Sequence, residues 1–276
     1  MQELFTYLSK WVIFKPYWWR FKMNIYFEMM KHPVFFIDDL SGYYSNHESA
    51  RTAVKALVKR GLAVKIRSNM YTCISGESGA PVANRFQIAS SITPTSCVSH
   101  HTAFEYYGIM NQVYYDVYVS SQTSFRDFSF DGYSYHCIKT DFVDEIDTPE
   151  YSGGIRVTSL ERTVIDSIKS MDKITGTEEL IEILQICPKL DEDKLKKCIS
   201  LYDNQFLWQK TGFFLSMFKE RLGISDEFLN ICKQQSGKSH RYISSDIYKG
   251  KYDSDWQLVV SEKTFDYKQE VINRKE

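Results

Sequence analysis

The chain has 276 residues, 43% of them hydrophobic and 25% charged, and carries a formal net charge of −1. At about 100–200 residues per domain that length predicts two domains, each able to bury a core. No run of about 18 uncharged apolar residues occurs, which excludes a membrane-spanning helix, and six scattered cysteines without a CxxC pair exclude a zinc ribbon or disulfide framework.

Residues 1–22 place Trp11, Trp18 and Trp19 among Lys10, Lys15, Arg20 and Lys22. Three readings stand for this aromatic extension. It is an interfacial amphipathic segment, against which Pro16 and a poor helical period count; or a packing arm on the following domain; or an over-long reading frame with Met23 as the natural start. Neither it nor the rest of the chain shows a secretory signal, and reduced thiols fit a cytoplasmic protein.

A small domain is predicted over residues 23–76. Asn24–Lys31 forms its first helix, the apolar run Val34–Ile37 a short pairing strand, and Asp38–Tyr43 the helix before a turn at Tyr44-Ser45-Asn46. Ser45 and Glu48 have capping-box spacing. Ala50, Val54, Leu57 and Val58 follow at three- and four-residue intervals, one apolar stripe of a helix. His47, Arg51, Thr52, Lys55 and Lys59 take the opposite face, and Gly61 ends the helix. Leu62–Ile66 and Met70–Ile74 then read as two strands around Arg67-Ser68-Asn69. A helix with a basic outer face followed by a basic hairpin has the layout of a winged helix-turn-helix.

Charge supports the same reading. Between Ser45 and Thr72 there are six cations and one anion, a local net of +5 in a near-neutral chain, as a phosphate-binding surface requires. Asn46, His47, Arg51, Thr52 and Lys55 are assigned to base edges and nearby phosphates, and Lys59, Lys65, Arg67 and Asn69 mainly to phosphates. A merely solvated, lysine-rich helix face is the competing reading.

Ser75–Pro81 has linker composition, and the second domain is placed over residues 82–276. Its hairpin-containing part spans 82–170, a helical part 171–243 and a tail 244–276. Asn84–Ser91 is a helix candidate; Thr102 and Glu105 have the spacing to cap a short helix that Gly108 closes. Tyr115, Val117 and Val119 alternate as a strand, and Asp131-Gly132 marks a two-residue hairpin turn between Phe125–Phe130 and Tyr133–Lys139. Ile155–Val157 is a brief strand, with Thr158 and Glu161 starting another capped helix. From Thr177 to Gln235 four helices are expected, broken at Cys187-Pro188, Asp203-Asn204 and Gly223, and Leu258–Val260 adds a strand. The fold class is α+β: a winged helix-turn-helix, then a mixed α/β domain with a helical C-terminal half. Asp141–Glu192 carries 13 carboxylates and 5 cations, a net of −8 that repels DNA and suits a basic protein partner, or else is a solvated acidic face.

Catalytic patterns are sparse. His100-His101 has no acidic or thiol ligand at the expected spacing beside it, so a structural role is expected. Glu161, Arg162 and Asp166 read as an intrahelical ion pair or a tie to a neighbouring strand. The acidic-x-Lys strand of a restriction-nuclease core is missing from Tyr135–Lys139, and Gly237-Lys238-Ser239 lacks the upstream glycine of a P-loop. No enzyme, metal site or cofactor is predicted.

The runs NRFQIAS (Asn84–Ser90), VSHHTAFEYYG (Val98–Gly108), YVSS (Tyr118–Ser121), FRDFSFDG (Phe125–Gly132) and RVTSLERTVID (Arg156–Asp166), in this order, resemble the AbiEi family. These are predicted regulators of viral defence and the antitoxins of type IV toxin–antitoxin (abortive infection) systems. The likeness runs from about Met23 to Ile243. It implies a bacterial cytoplasmic protein whose winged helix binds its own promoter or operator DNA, two copies together where the site is an inverted repeat. The remaining domain counters a nucleotidyltransferase-like toxin, without necessarily forming a stable complex with it. Rival readings are a solitary regulator without a toxin, a nuclease delivered to DNA by the winged domain, and an interaction module whose basic island binds an acidic protein.

Overall fold

A computed structural model describes residues 25–110, 114–171, 176–244, 247 and 249–273. The readings of residues 1–22 fall outside these. The chain is mixed α and β, in two compact units, Met1–Ser91 and Ile92–Glu276.

In the first unit, residues 25–29 are helical (α1). β1 (Phe35–Phe36), a 3-10 turn at Ile37–Leu40, α2 (His47–Lys59), β2 (Ala63–Arg67), β3 (Met70–Cys73) and α3 (Arg85–Ser91) follow. The strands form one antiparallel sheet in the order β1-β3-β2. Ile25, Met29, Phe35, Leu40, Ala50, Val54 and Leu57 meet in a single core. Only the first part of the expected second helix forms, as the 3-10 turn.

α2 starts one residue later than the Ser45–Glu48 box predicts. Its N-cap is Asn46, whose side chain accepts the Ser49 N–H at 2.8 Å, which satisfies an orphan donor of the first turn. The buried stripe is Ala50, Val54 and Leu57, whereas Val58 is 37% exposed. Consecutive residues are about 100° apart on a helix, so Val58 lies off the face that Leu57 occupies. At the far end Gly61 has φ +69°. The Gly61 N–H donates to Val58 O and the Leu62 N–H to Leu57 O, each at 3.0 Å, the paired bonds of a Schellman motif.

β2 and β3 close at Ser68-Asn69, with Arg67 opposite Met70 and Lys65 opposite Tyr71. Ile66 is the extra residue of a bulge there. Ser75–Pro81 is not a free linker. The Ser75 N–H donates to Ala80 O, Ile74 bridges Pro81, and the Val82 N–H returns to Cys73 O. The Ala83 N–H reaches the buried Thr72 hydroxyl. A capping box between Asn84 and Gln87 then opens α3. The division between units therefore falls after Ser91, beyond the expected boundary.

In the second unit β4 (Cys97–Val98), α4 (His100–Tyr106), β5 (Asp116–Ser121), β6 (Phe128–Phe130), β7 (Tyr133–Lys139), β8 (Ile146–Asp147), β9 (Val157–Thr158) and α5 (Leu160–Lys169) succeed one another. Their strands form a mixed sheet in the order β6-β7-β5-β4-β9-β8. Asp131 and Gly132, at φ +50° and +80°, join β6 to β7 as the hairpin signal predicts. Both expected capping boxes are displaced. Thr102 lies inside α4 and accepts the Tyr118 N–H; Ser159, not Thr158, caps α5 through the Arg162 N–H.

Five helices follow where four are expected: α6 (Thr177–Ile186), α7 (Glu192–Leu201), α8 (Gln205–Met217), α9 (Lys219–Leu222) and α10 (Asp226–Gln235). The predicted breaks hold, and a further one falls at Phe218. β10 (Arg241–Tyr242), β11 (Gly250–Asp253) and β12 (Leu258–Ser261) form a small sheet beside α11 (Glu262–Asn273). The buried Lys268 ammonium of α11 donates to the buried Asp253 carboxylate of β11.

Candidate nucleic-acid interface

The basic face of the first unit follows from the helix period. With Ala50, Val54 and Leu57 buried, His47, Arg51, Thr52, Lys55 and Lys59 all remain exposed. Among them His47, Arg51, Lys55 and Lys59 stand at four-residue intervals and so form one row along α2. Three like charges in such a row repel one another, a cost that an apposed polyanion removes. Arg51 lies 4.0 Å from Glu48, an exposed and weak pair. Lys55, Lys59 and Lys65 have no ion pair among the described residues. His47 Nε2 is 3.5 Å from Asp38 Oδ1, at an exposed site.

Two of the remaining predicted residues, Asn46 and Asn69, have internal duties. Asn46 Oδ1 caps α2. Asn69, at φ +56°, accepts the Ile37 N–H at 3.2 Å and ties the hairpin tip to the 3-10 turn. Arg67 is half-buried, whereas Lys65 on β2 is exposed.

In the second unit the two adjacent histidines are buried in separate clusters. His101 Nδ1 lies 3.1 Å from Glu105 and Nε2 3.1 Å from Glu179. The carboxylates sit off the N–H axes, so neither contact has the geometry of a directed hydrogen bond. The Tyr114 ring packs edge-on at 3.8 Å, and its hydroxyl donates to Glu179. Glu105, four residues on along the same helix, is the acidic neighbour that the sequence reading missed. The His101 nitrogens face opposite ways, each to its own carboxylate, and no group of three or more His, Cys, Asp or Glu among the described residues could hold a metal.

His100, at φ +54°, has Nδ1 2.9 Å from Ser99 Oγ, and the Ser120 hydroxyl donates to Ser99 at 2.8 Å. This has the composition of a nucleophile and its base. Ser99 is fully buried, however, so a substrate cannot reach it. Arg162 and Asp166 form the expected intrahelical ion pair, both buried. Arg162 also donates to Asp144 O and Phe142 O, and Tyr202 to Asp166, which ties the segment after β7 onto α5.

All six cysteines are free, and five are buried. Burial pushes the Cys73 and Cys97 thiols up to about 11 and those of Cys187, Cys198 and Cys232 to about 12. These five are therefore protonated at neutral pH and poor nucleophiles.

No protein-family model and no curated protein matches the chain. Among solved structures it is similar to the crystal structure of the Rv2827c protein from Mycobacterium tuberculosis, with a TM-score of 0.60 and 12% identity over 92% of this chain and 95% of that one. At that identity the likeness concerns the fold alone.

Proposed function

We propose that the chain is a DNA-binding transcriptional autorepressor that also acts as a type IV antitoxin, opposing a nucleotidyltransferase-like toxin. The cationic row of α2 carries the DNA half. Arg51, Lys55 and Lys59 share an exposed face with Thr52, opposite the stripe that seats the helix. The order helix, strand, turn, helix, two-stranded hairpin, with the first strand beside the last, supports the winged helix-turn-helix reading, with α2 as the element entering the major groove. Arg51, Thr52 and Lys55 then meet base edges, while Lys59 and Lys65 hold phosphates. The antitoxin half rests on the AbiEi resemblance.

A mobility-shift titration on the DNA upstream of the gene tests this. Arg51→Ala weakens operator binding by ~1–3 kcal/mol and relaxes sequence preference if the guanidinium is bidentate to guanine. Lys65→Ala lowers affinity for all duplexes alike and flattens the salt slope by about one unit. Equal binding by parent and Arg51→Ala at low salt sinks the assignment of α2.

A further inference from the structure

A cavity of about 340 Å³ opens in the second unit, lined by Lys169, Met171, Phe206, Lys210, Tyr242 and Ile243. That size suits a small organic ligand. Met171 and Ile243 are buried and apolar, Phe206 is half-buried, and Tyr242 is 59% exposed at the mouth. The Lys210 ammonium and the Arg241 guanidinium both sit over the Phe206 ring, so the flat aromatic surface left open is that of Tyr242, beside an apolar floor.

Among the described residues its lining carries cations and no acid. The Arg241 guanidinium sits 5.2 Å over the Phe206 ring and the Lys169 ammonium 4.8 Å over the Tyr202 ring. Both are exposed, and neither forms an ion pair among the described residues. Lys210 serves differently: its ammonium donates to Ile168 O at 2.6 Å and Lys169 O at 3.2 Å. It thereby neutralises the negative end of α5 at the cavity wall, which would otherwise repel an anion.

We propose that this cavity binds a mononucleotide, its base against the Tyr242 ring and its phosphate against Lys169 and Arg241. Aromatic side chains bind nucleobases by stacking, and cations at the rim supply the phosphate contact. The site lies wholly in the second unit and is independent of DNA binding through α2.

The test is calorimetric titration of the full chain with AMP, GMP and ATP, using adenosine and inorganic phosphate as controls. At least one nucleotide binds with a Kd below about 1 mM, and each control binds at least tenfold more weakly. Lys169→Ala, Arg241→Ala and Tyr242→Ala, all at exposed positions, each weaken binding at least tenfold with unchanged melting temperature. Photo-crosslinking with 8-azido-AMP labels a peptide containing Tyr242 in the unaltered protein. A 5′-phosphorylated trinucleotide that outcompetes AMP for the same label makes a nucleic-acid end the source; the reverse makes it a free nucleotide. Binding of every nucleotide weaker than about 1 mM, phosphate alone binding as well as AMP, or labelling elsewhere overturns the proposal.

Discussion

His136 can donate to two carboxylates at once only as an imidazolium. Nδ1 lies 2.8 Å from Asp127 Oδ2 and Nε2 3.0 Å from Asp116 Oδ1, and a neutral ring has one N–H. Burial opposes the charged form, but the hydrogen bonds to Asp116 and Asp127 outweigh it and raise the His136 pKa above 6.5. For Asp127 burial pushes upward, and the His136 and Cys137 N–H bonds pull the net value below 3.8. The histidine's contribution to stability is full below pH 6.5 and fades as pH rises through its folded pKa. The aspartate's is present above pH 3.8 and fades as pH falls through its own. With intrinsic exchange divided out, amide protection of the β6–β7 hairpin is therefore greatest between those limits, and His136→Gln flattens the alkaline side; an unchanged protection profile in that variant removes the clamp. Such pairings explain what was unreadable at this scale. Asn69 is a polar residue in a basic hairpin, and its partner Ile37 stands 32 positions away. Nothing local separates a side chain awaiting phosphate from one serving a distant backbone N–H.

Two glycines show how elements depend on backbone freedom and on space. A Cβ at Gly61 meets no atom within 4 Å, so only its left-handed backbone resists substitution. Gly61→Ala should cost ~1–2 kcal/mol, read as a lower denaturation midpoint with unchanged slope. At Gly212, inside α8, the obstacle is steric: a Cβ would overlap the ring of the buried Trp256. Gly212→Ala therefore forces the β11–β12 turn off α8 at a cost of ~1–3 kcal/mol; a melting temperature equal to the parent's would mean that the ring moves freely. Gly61 and Asp131-Gly132 were legible because each signal acts within a few residues. The offset caps were not: Ser45, Thr102 and Thr158 each have the box spacing, and tertiary contacts decide which neighbour caps. Thr102 is taken by the Tyr118 N–H and Thr158 by the Thr163 hydroxyl. β11 and α11 went unread because their anchor, the Lys268–Asp253 pair, spans 15 residues and leaves only weak local periodicity.

Across the whole molecule, charge is partitioned with the cores. The first unit has its own apolar cluster and the second another. The +5 of Ser45–Thr72 belongs to the former, and the −8 of Asp141–Glu192 to the latter. The expected boundary and the division after Ser91 differ because Ser75–Pro81 has linker composition, while its hydrogen bonds fold it back on Cys73. If duplex DNA is bound by the first unit alone, the salt dependence of the intact protein is set by α2 and β2. Replacing Lys55, Lys59 and Lys65 together by alanine should then flatten the log–log salt slope by nearly three units. Replacing three exposed carboxylates, Asp141, Glu150 and Asp193, by their amides should leave it unchanged. The same partition predicts separable activities in cells. Arg51 and Lys55 project away from Ala50, Val54 and Leu57, so their double alanine variant keeps its core. It should release the promoter yet still restore growth against a co-expressed toxin. Loss of both activities, at wild-type abundance and melting temperature, would mean that DNA binding and toxin neutralisation share one surface.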